Sequence, residues 1–208
     1  MHDPLPQPHK EAIRADKAAM RTLVRQRRNS QTDRDRLSRH ILAQLVALPE
    51  YAAARTVMCY LSIGAEVETH DLPHRAWADN KRVVIPYCTG PHLDAFVLHG
   101  LEQLEPGTWG ILEPKDELRP LADYRIEPER LDLIVSPGVA FDRQGGRLGN
   151  GMGYYDRFLA RVPLSVPKIG LGFDCQMVAA VPMTADDVYL DKIITEQAIY
   201  DRTPRATA

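Results

Sequence analysis

The 208-residue chain predicts a single α/β domain: a mixed, mostly parallel sheet flanked by helices. Three observations predict it. Short apolar runs alternate along the chain with stretches of helical periodicity, the pattern of strands joined by crossover helices. One of these runs leads through a glycine-dense loop into a helical stretch. The composition, 44% apolar and 26% charged, is that of a chain able to bury a core without disulfide or metal staples.

The elements follow in order. Residues 1–9, with Pro4, Pro6 and Pro8, read as a flexible tail, residues 10–201 as the domain, and 202–208 as a second tail. From Lys10, Ile13, Met20 and Val24 recur at helix spacing among charges. Ser30 with Asp33 resembles a capping box opening a second helix. Leu37, Ile41, Leu45 and Leu48 form its apolar stripe, and Pro49 closes it. Thr56–Leu61 reads as a buried strand, followed by a turn at Gly64. Thr69–Asn80 reads as a helix capped by Thr69, with Pro73 near its first turn. Arg82–Pro86 and Leu93–Leu98 read as strands, and Gly107–Arg130, rich in proline and charge, as a long loop. Leu131–Ser136 is a strong short strand, and a helix is expected from Tyr154 to about Arg161. Lys168–Phe173 and Lys192–Thr195 supply further strands.

Charge and cysteine content exclude several classes. The net charge is −2, which gives no global attraction to nucleic acid or a membrane. No apolar run approaches the roughly 18 residues of a membrane span, and the first residues lack the apolar stretch of a secretory signal. A monomer with small-molecule substrates is expected. Cys59, Cys88 and Cys175 are far apart and form no CxxC pair. They read as small buried hydrophobes in a reducing cytosol. The near-neutral total hides a basic arm, since Lys10–Arg39 holds ten basic residues against four acidic ones.

The informative stretch is 137–157, PGVAFDRQGGRLGNGMGYYDR, in which five of the nine residues from 145 to 153 are glycine. Glycines admit positive φ and let main-chain amides approach a ligand, and a helix start adds partial positive charge. Together they suit a phosphate group. Arg147 can pair with phosphate oxygens, and Asp156 is a hard oxygen ligand suited to Mg²⁺. A turn needed only for tight packing remains the alternative. The loop is neither a Walker A sequence nor a well-spaced dinucleotide fingerprint, although Asp174 stands where a ribose-binding acid could sit. His70 and His74 share a helix spacing but lack the flanking residues of a zinc site.

The string RLGNGMGYYDR, with PGVAFD upstream, closely resembles the signature of the 5-formyltetrahydrofolate cyclo-ligase family, also called 5,10-methenyltetrahydrofolate synthetases. Four further segments match in order: Lys17–Arg21, Glu66–Thr69, Trp109–Pro114 and the stretch GFDCQMV…PMTADDVYLDKIITE. At one loop position family members carry Lys or Gly where this chain has Met152.

The resemblance implies a fold akin to ribose-phosphate isomerase and CoA-transferase domains. It also implies an ATP- and Mg²⁺-dependent closure of 5-formyltetrahydrofolate to 5,10-methenyltetrahydrofolate, with release of ADP and phosphate. Phosphorylation would turn the formyl oxygen into a leaving group, so the protein mainly positions groups and neutralises charge. By the same resemblance Arg147 and Tyr155 are catalytic. Lys17, Arg21, Arg147, Gly149, Asn150, Gly151, Met152, Gly153, Tyr154 and Tyr155 hold ATP, with Arg14 a weaker candidate. Glu66, Trp109 and Tyr155 hold the folate, Glu66 being favoured over Glu68. Asp156 and Asp187 hold the metal, with Asp186 the neighbour that a one-residue slip would substitute. On composition alone, Lys17 and Arg21 would read as a solvated basic face. A non-catalytic folate- or nucleotide-binding relative, a sugar-phosphate isomerase on the same scaffold, and nucleic-acid binding by the basic arm are the rival readings.

Overall fold

A computed structural model describes residues 7–107 and 110–202, with side chains from Glu11 onward. Helix α1 spans Gln7–Asn29 and starts three residues before the expected Lys10. Helix α2, Arg34–Val46, does not open on a capping box: Asp33 is the N-cap residue, at φ 55°, and its side chain makes no cap hydrogen bond. A short α3, Pro49–Ala53, follows.

The first strand, β1, is Thr56–Met58, shorter than expected because the chain leaves the sheet after Cys59, whose N donates to Val84 O at 2.9 Å. Helix α4 is Leu72–Ala78. Thr69 is not its cap, because its hydroxyl donates to Tyr60 O at 2.6 Å and accepts from Ser62 N at 3.1 Å, closing the loop after β1. Strands β2, Arg82–Thr89, and β3, His92–Leu98, form a hairpin. The expected long loop contains a small antiparallel pair, β4 (Leu104–Pro106) with β5 (Leu112–Pro114). Next come β6 (Leu133–Ser136), the ribbon β7 (Ala140–Phe141) with β8 (Arg147–Leu148), and α5 (Tyr154–Leu159). Strands β9 (Lys168–Leu171), β10 (Lys192–Ile194) and β11 (Ile199–Asp201) complete the fold.

Seven strands form the main sheet in the order β11-β10-β9-β6-β1-β2-β3. The five inner strands are parallel, and the two edges, β3 and β11, are antiparallel. Side chains alternate between the faces of each strand. Val57, Val83, Leu133, Val135 and Ile169 pack under α2, α3 and α4. Met58, Val84, Ile134 and Ile193 face the other way, against Phe158 and Leu159 of α5. Each large side chain so buried contributes about 1.5–3 kcal/mol. The carboxylate of Asp132 ties the starts of two inner strands by accepting from Thr56 N at 2.8 Å.

Helix α1 stands apart from this sandwich. Val24, fully buried, packs with Met20 against Val139, Ala140, Leu148 and Val181, so the helix lies on the β7–β8 ribbon. Among the cysteines only Cys59 is a buried hydrophobe. Cys88 is exposed near the end of β2 and Cys175 is half-buried. No helix among the described residues is long and apolar enough to cross a membrane.

Candidate active site

A cavity of about 980 Å³ opens where β1, β2 and β6 end, the edge at which parallel sheets place ligand sites. Tyr60 and Leu61 follow β1, Pro86–Cys88 belong to β2, and Pro137 and Gly138 follow β6. Arg14, Lys17 and Arg21 close it from α1.

One end is crowded with charge. Positions 14, 17, 21, 25 and 28 follow one another at spacings of three and four, which puts their cations on one face of α1. Arg21 Nε donates to Gly149 O at 2.8 Å, Arg25 Nη2 to Asn150 Oδ1 at 2.9 Å, and Arg28 Nη1 to Gly138 O at 3.4 Å. Burial, and then the charge of Arg25, lower the pKa of Arg21 against the pull of Asp187. Lys17 Nζ pairs with Asp187 Oδ2 at 2.5 Å. The same oxygen accepts from Thr184 N at 2.7 Å and from Thr184 Oγ1 at 2.9 Å. Burial pushes the Asp187 pKa up, but Lys17 and Thr184 together bring it below the ordinary value.

Arg147, at the start of β8, is 3% exposed. Its Nη2 donates to Asp156 Oδ1 at 2.8 Å, and its guanidinium lies 5.4 Å from the centre of the Tyr155 ring. Its buried Nε has no partner among the described residues, an unusual state for a charged donor. The glycine loop is shaped around these cations. A Cβ on Gly149 would lie 2.9 Å from Arg147 Nη1, and one on Gly151, at φ +107°, 3.3 Å from Arg21 Cζ. The amides of residues 149–153 donate to no described residue, so they remain available to an anion. Because α5 is only six residues long, these amides matter more than its dipole.

Another stretch of the lining, beside Arg147, is apolar and sparsely paired. Ile85, Leu93, Ile111 and Leu112 line it with Tyr60 and Tyr155. The buried Tyr60 hydroxyl donates to Val67 O at 3.1 Å, whereas the buried Tyr155 hydroxyl has no partner among the described residues. Burial, and then the nearby Glu66 carboxylate, push the Tyr155 pKa well up. Glu66 also sits in this wall. Burial raises its pKa, while the Ile63 amide and the Arg28 charge act the other way.

The structure therefore brings Arg14, Lys17, Arg21, Glu66, Arg147, Gly149, Asn150, Gly151, Met152, Gly153, Tyr154, Tyr155, Asp156 and Asp187 to one cavity wall. Met152 is 65% exposed, and the Tyr154 hydroxyl turns away to Gly90 O at 3.1 Å. Glu68 points elsewhere, accepting from Ser62 Oγ and His70 N. Asp186 is exposed and outside the wall, and Asp174 accepts from the Tyr200 hydroxyl away from the cavity. Trp109 lies outside the described residues. The sequence reading missed Arg25, Arg28, Tyr60 and Thr184. Helical spacing could have found the two arginines, but nothing local marks the tyrosine or the threonine.

Comparison with known proteins follows the same lines. The model of the 5-formyltetrahydrofolate cyclo-ligase family matches residues 7–196. The Escherichia coli 5-formyltetrahydrofolate cyclo-ligase is 29% identical over 185 residues, covering 86% of this chain and 100% of that protein. The solved structure of Aquifex aeolicus 5,10-methenyltetrahydrofolate synthetase superposes with a TM-score of 0.77 at 33% identity, over 92% of this chain and 96% of that one. A 5,10-methenyltetrahydrofolate synthetase from Mycoplasma pneumoniae gives 0.69 at 26% identity, over 87% and 99%. With a family match over most of its length and a fold shared with two solved synthetases, this chain belongs to the 5-formyltetrahydrofolate cyclo-ligase family.

Proposed function

We propose that this protein closes 5-formyltetrahydrofolate to 5,10-methenyltetrahydrofolate at the expense of ATP. The observation that carries the reading is the pairing of two chemistries in one cavity. Main-chain amides unpaired among the described residues and a row of cations line one part of it, and buried Tyr60 with half-buried Tyr155 and Glu66 line another. An anionic tail and a flat, hydrogen-bonding ring system would each find a suitable wall.

The reaction needs no protein nucleophile. The formyl oxygen attacks the γ-phosphorus and ADP leaves. N10 then attacks the activated carbon, loses its proton, and phosphate departs with the former formyl oxygen. Charge builds on the transferring phosphoryl group, so fixed donors aimed at it lower the barrier. Arg147, with a donor unused and its position locked by Asp156, is the residue best placed to supply them. Lys17, Arg21 and the 149–153 amides hold the rest of the tail. Tyr155 and Glu66 orient the ring, the tyrosine hydroxyl gaining the partner it lacks among the described residues.

Asp156 and Asp187 suit a hard cation that brings phosphate and water ligands of its own. Asp156 Oδ1 accepts from Val188 N at 3.3 Å, which holds the two carboxylates on adjoining pieces of wall. Among the described residues there is no cluster of three acidic, histidine or cysteine side chains, so Mg²⁺ would arrive with the nucleotide. Bound there, it would neutralise phosphate charge. Purified protein given Mg-ATP and 5-formyltetrahydrofolate should produce the near-ultraviolet absorbance of the methenyl product with one ADP per turnover. No absorbance at saturating substrates overturns the assignment.

A further inference from the structure

Asp142 lies outside the cavity wall, is 1% exposed, and is a carboxylate held by main-chain amides. Its Oδ1 accepts from Gln144 N at 2.9 Å and Gly146 N at 2.8 Å, and its Oδ2 from Val181 N at 2.7 Å. The two oxygens serve two different pieces of chain. The first fixes the turn between β7 and β8, where Asp142 N also donates to Gly146 O at 3.0 Å. The next residue after that turn is Arg147. The second fixes the start of the segment that continues through Thr184 to Asp187, the partner of Lys17. Gly146 is glycine for the same reason, since a Cβ there would lie 2.5 Å from Asp142 Oδ2.

We propose that Asp142 is a positioning residue that sets the spacing between Arg147 and the Thr184–Asp187 segment, and so the grip on the nucleotide's phosphates. The assignment rests on the reading that the charged end of the cavity takes ATP. Its logic is geometric. A carboxylate accepts on both oxygens, whereas a carboxamide accepts on one and donates from the other. Asp142→Asn therefore keeps the shape of the side chain but sets its amide group against one of the two amide donors. Oδ1 has two donors and Oδ2 one, so the carboxamide oxygen settles on the turn and the NH₂ faces Val181 N. The turn stays closed and the 181–187 segment comes loose.

The test compares Asp142→Asn with Val181→Pro, which deletes the single amide that Oδ2 binds. Each variant should raise the ATP KM about tenfold and leave the KM for 5-formyltetrahydrofolate within about twofold. The double variant should be no worse than the worse single one, because both break the same contact. A purely structural role would lower the active fraction, and so kcat, without moving either KM. Amide hydrogen exchange gives a readout independent of ATP. In Asp142→Asn the Val181 amide should exchange at least about tenfold faster, while the Gly146 amide stays protected. Equal loosening of both amides, equal rises in both KM values, or additive single variants each overturn the proposal. Val181 also packs on Val24 of α1, so Val181→Ala, which keeps the amide, is the control: should Asp142→Asn not fold, an ATP KM raised by Val181→Pro and not by Val181→Ala supports the proposal, and an equal rise in both overturns it. If the wild-type protein neither binds ATP nor forms product but the exchange pattern holds, the functional reading fails and the geometric one stands.

Discussion

Two neighbouring parts of the cavity wall handle their polar groups in opposite ways. In the cationic part nearly every charge has a partner: Lys17 holds Asp187, Arg147 holds Asp156, and Arg21 and Arg25 hold the glycine loop. In the apolar part the Tyr155 hydroxyl is buried without a partner among the described residues, and burial raises the pKa of Glu66. A ligand at the first part must exchange one set of ion pairs for another. A ligand at the second supplies contacts the free protein lacks. Function and stability therefore conflict most in the apolar part, where removing the Tyr155 hydroxyl or the Glu66 charge should make the free protein more stable.

The harshest way to break this comparison is Arg147→Ala. It strands Asp156 and empties a buried site, so the melting temperature should fall, and kcat/KM for ATP should drop a hundredfold or more, about the loss of one preorganised donor. The folate KM should move far less. Equal effects on both substrates would make Arg147 a structural residue. Tyr155→Phe should act in the opposite sense on stability. It deletes an unpaired buried hydroxyl, so the melting temperature should hold or rise, while the folate KM rises about tenfold and the ATP KM stays put. An unchanged folate KM would remove the ring assignment.

Glu66→Gln gives the smallest and most pH-dependent effect. Burial holds the proton on Glu66 more tightly in the folded protein than in the unfolded chain. Its ionisation therefore costs stability above the folded pKa, and costs nothing once both states are protonated, below the unfolded value of about 4.3. The glutamine should melt a few degrees higher near pH 8, with the advantage shrinking as the pH falls toward 4. Thermal melts across that range check it, and a lower melting temperature at pH 8 would show that the carboxylate is well satisfied.

Much of this arrangement was legible in the sequence. The alternating apolar runs gave the parallel inner strands, and the glycine loop with its arginine and aspartate gave one wall of the cavity, because these are local signals. What escaped depends on partners far along the chain. Asp33 and Thr69 have the chemistry of helix caps, yet Asp33 takes a left-handed conformation without a cap bond and Thr69 closes a loop around Tyr60. The β4–β5 and β7–β8 pairs and the edge strand β11 are two or three residues long, too short for periodicity to register. Arg28 acquires meaning only when α1 meets Gly138, and Thr184 only when Lys17 meets Asp187. Asp142 was not singled out in the sequence, because its hold on Val181, 39 positions on, leaves no local signal.

The distance along the chain between α1 and its partners has a consequence for biosynthesis. Arg21 waits for a carbonyl 128 positions later, and Lys17 for a carboxylate 170 positions later. At roughly 5–20 residues per second, a ribosome exposes this charged helix many seconds before anything exists for it to dock on. The cationic helix is thus among the first pieces made and among the last to be fastened, and pairing of such distant segments is slow.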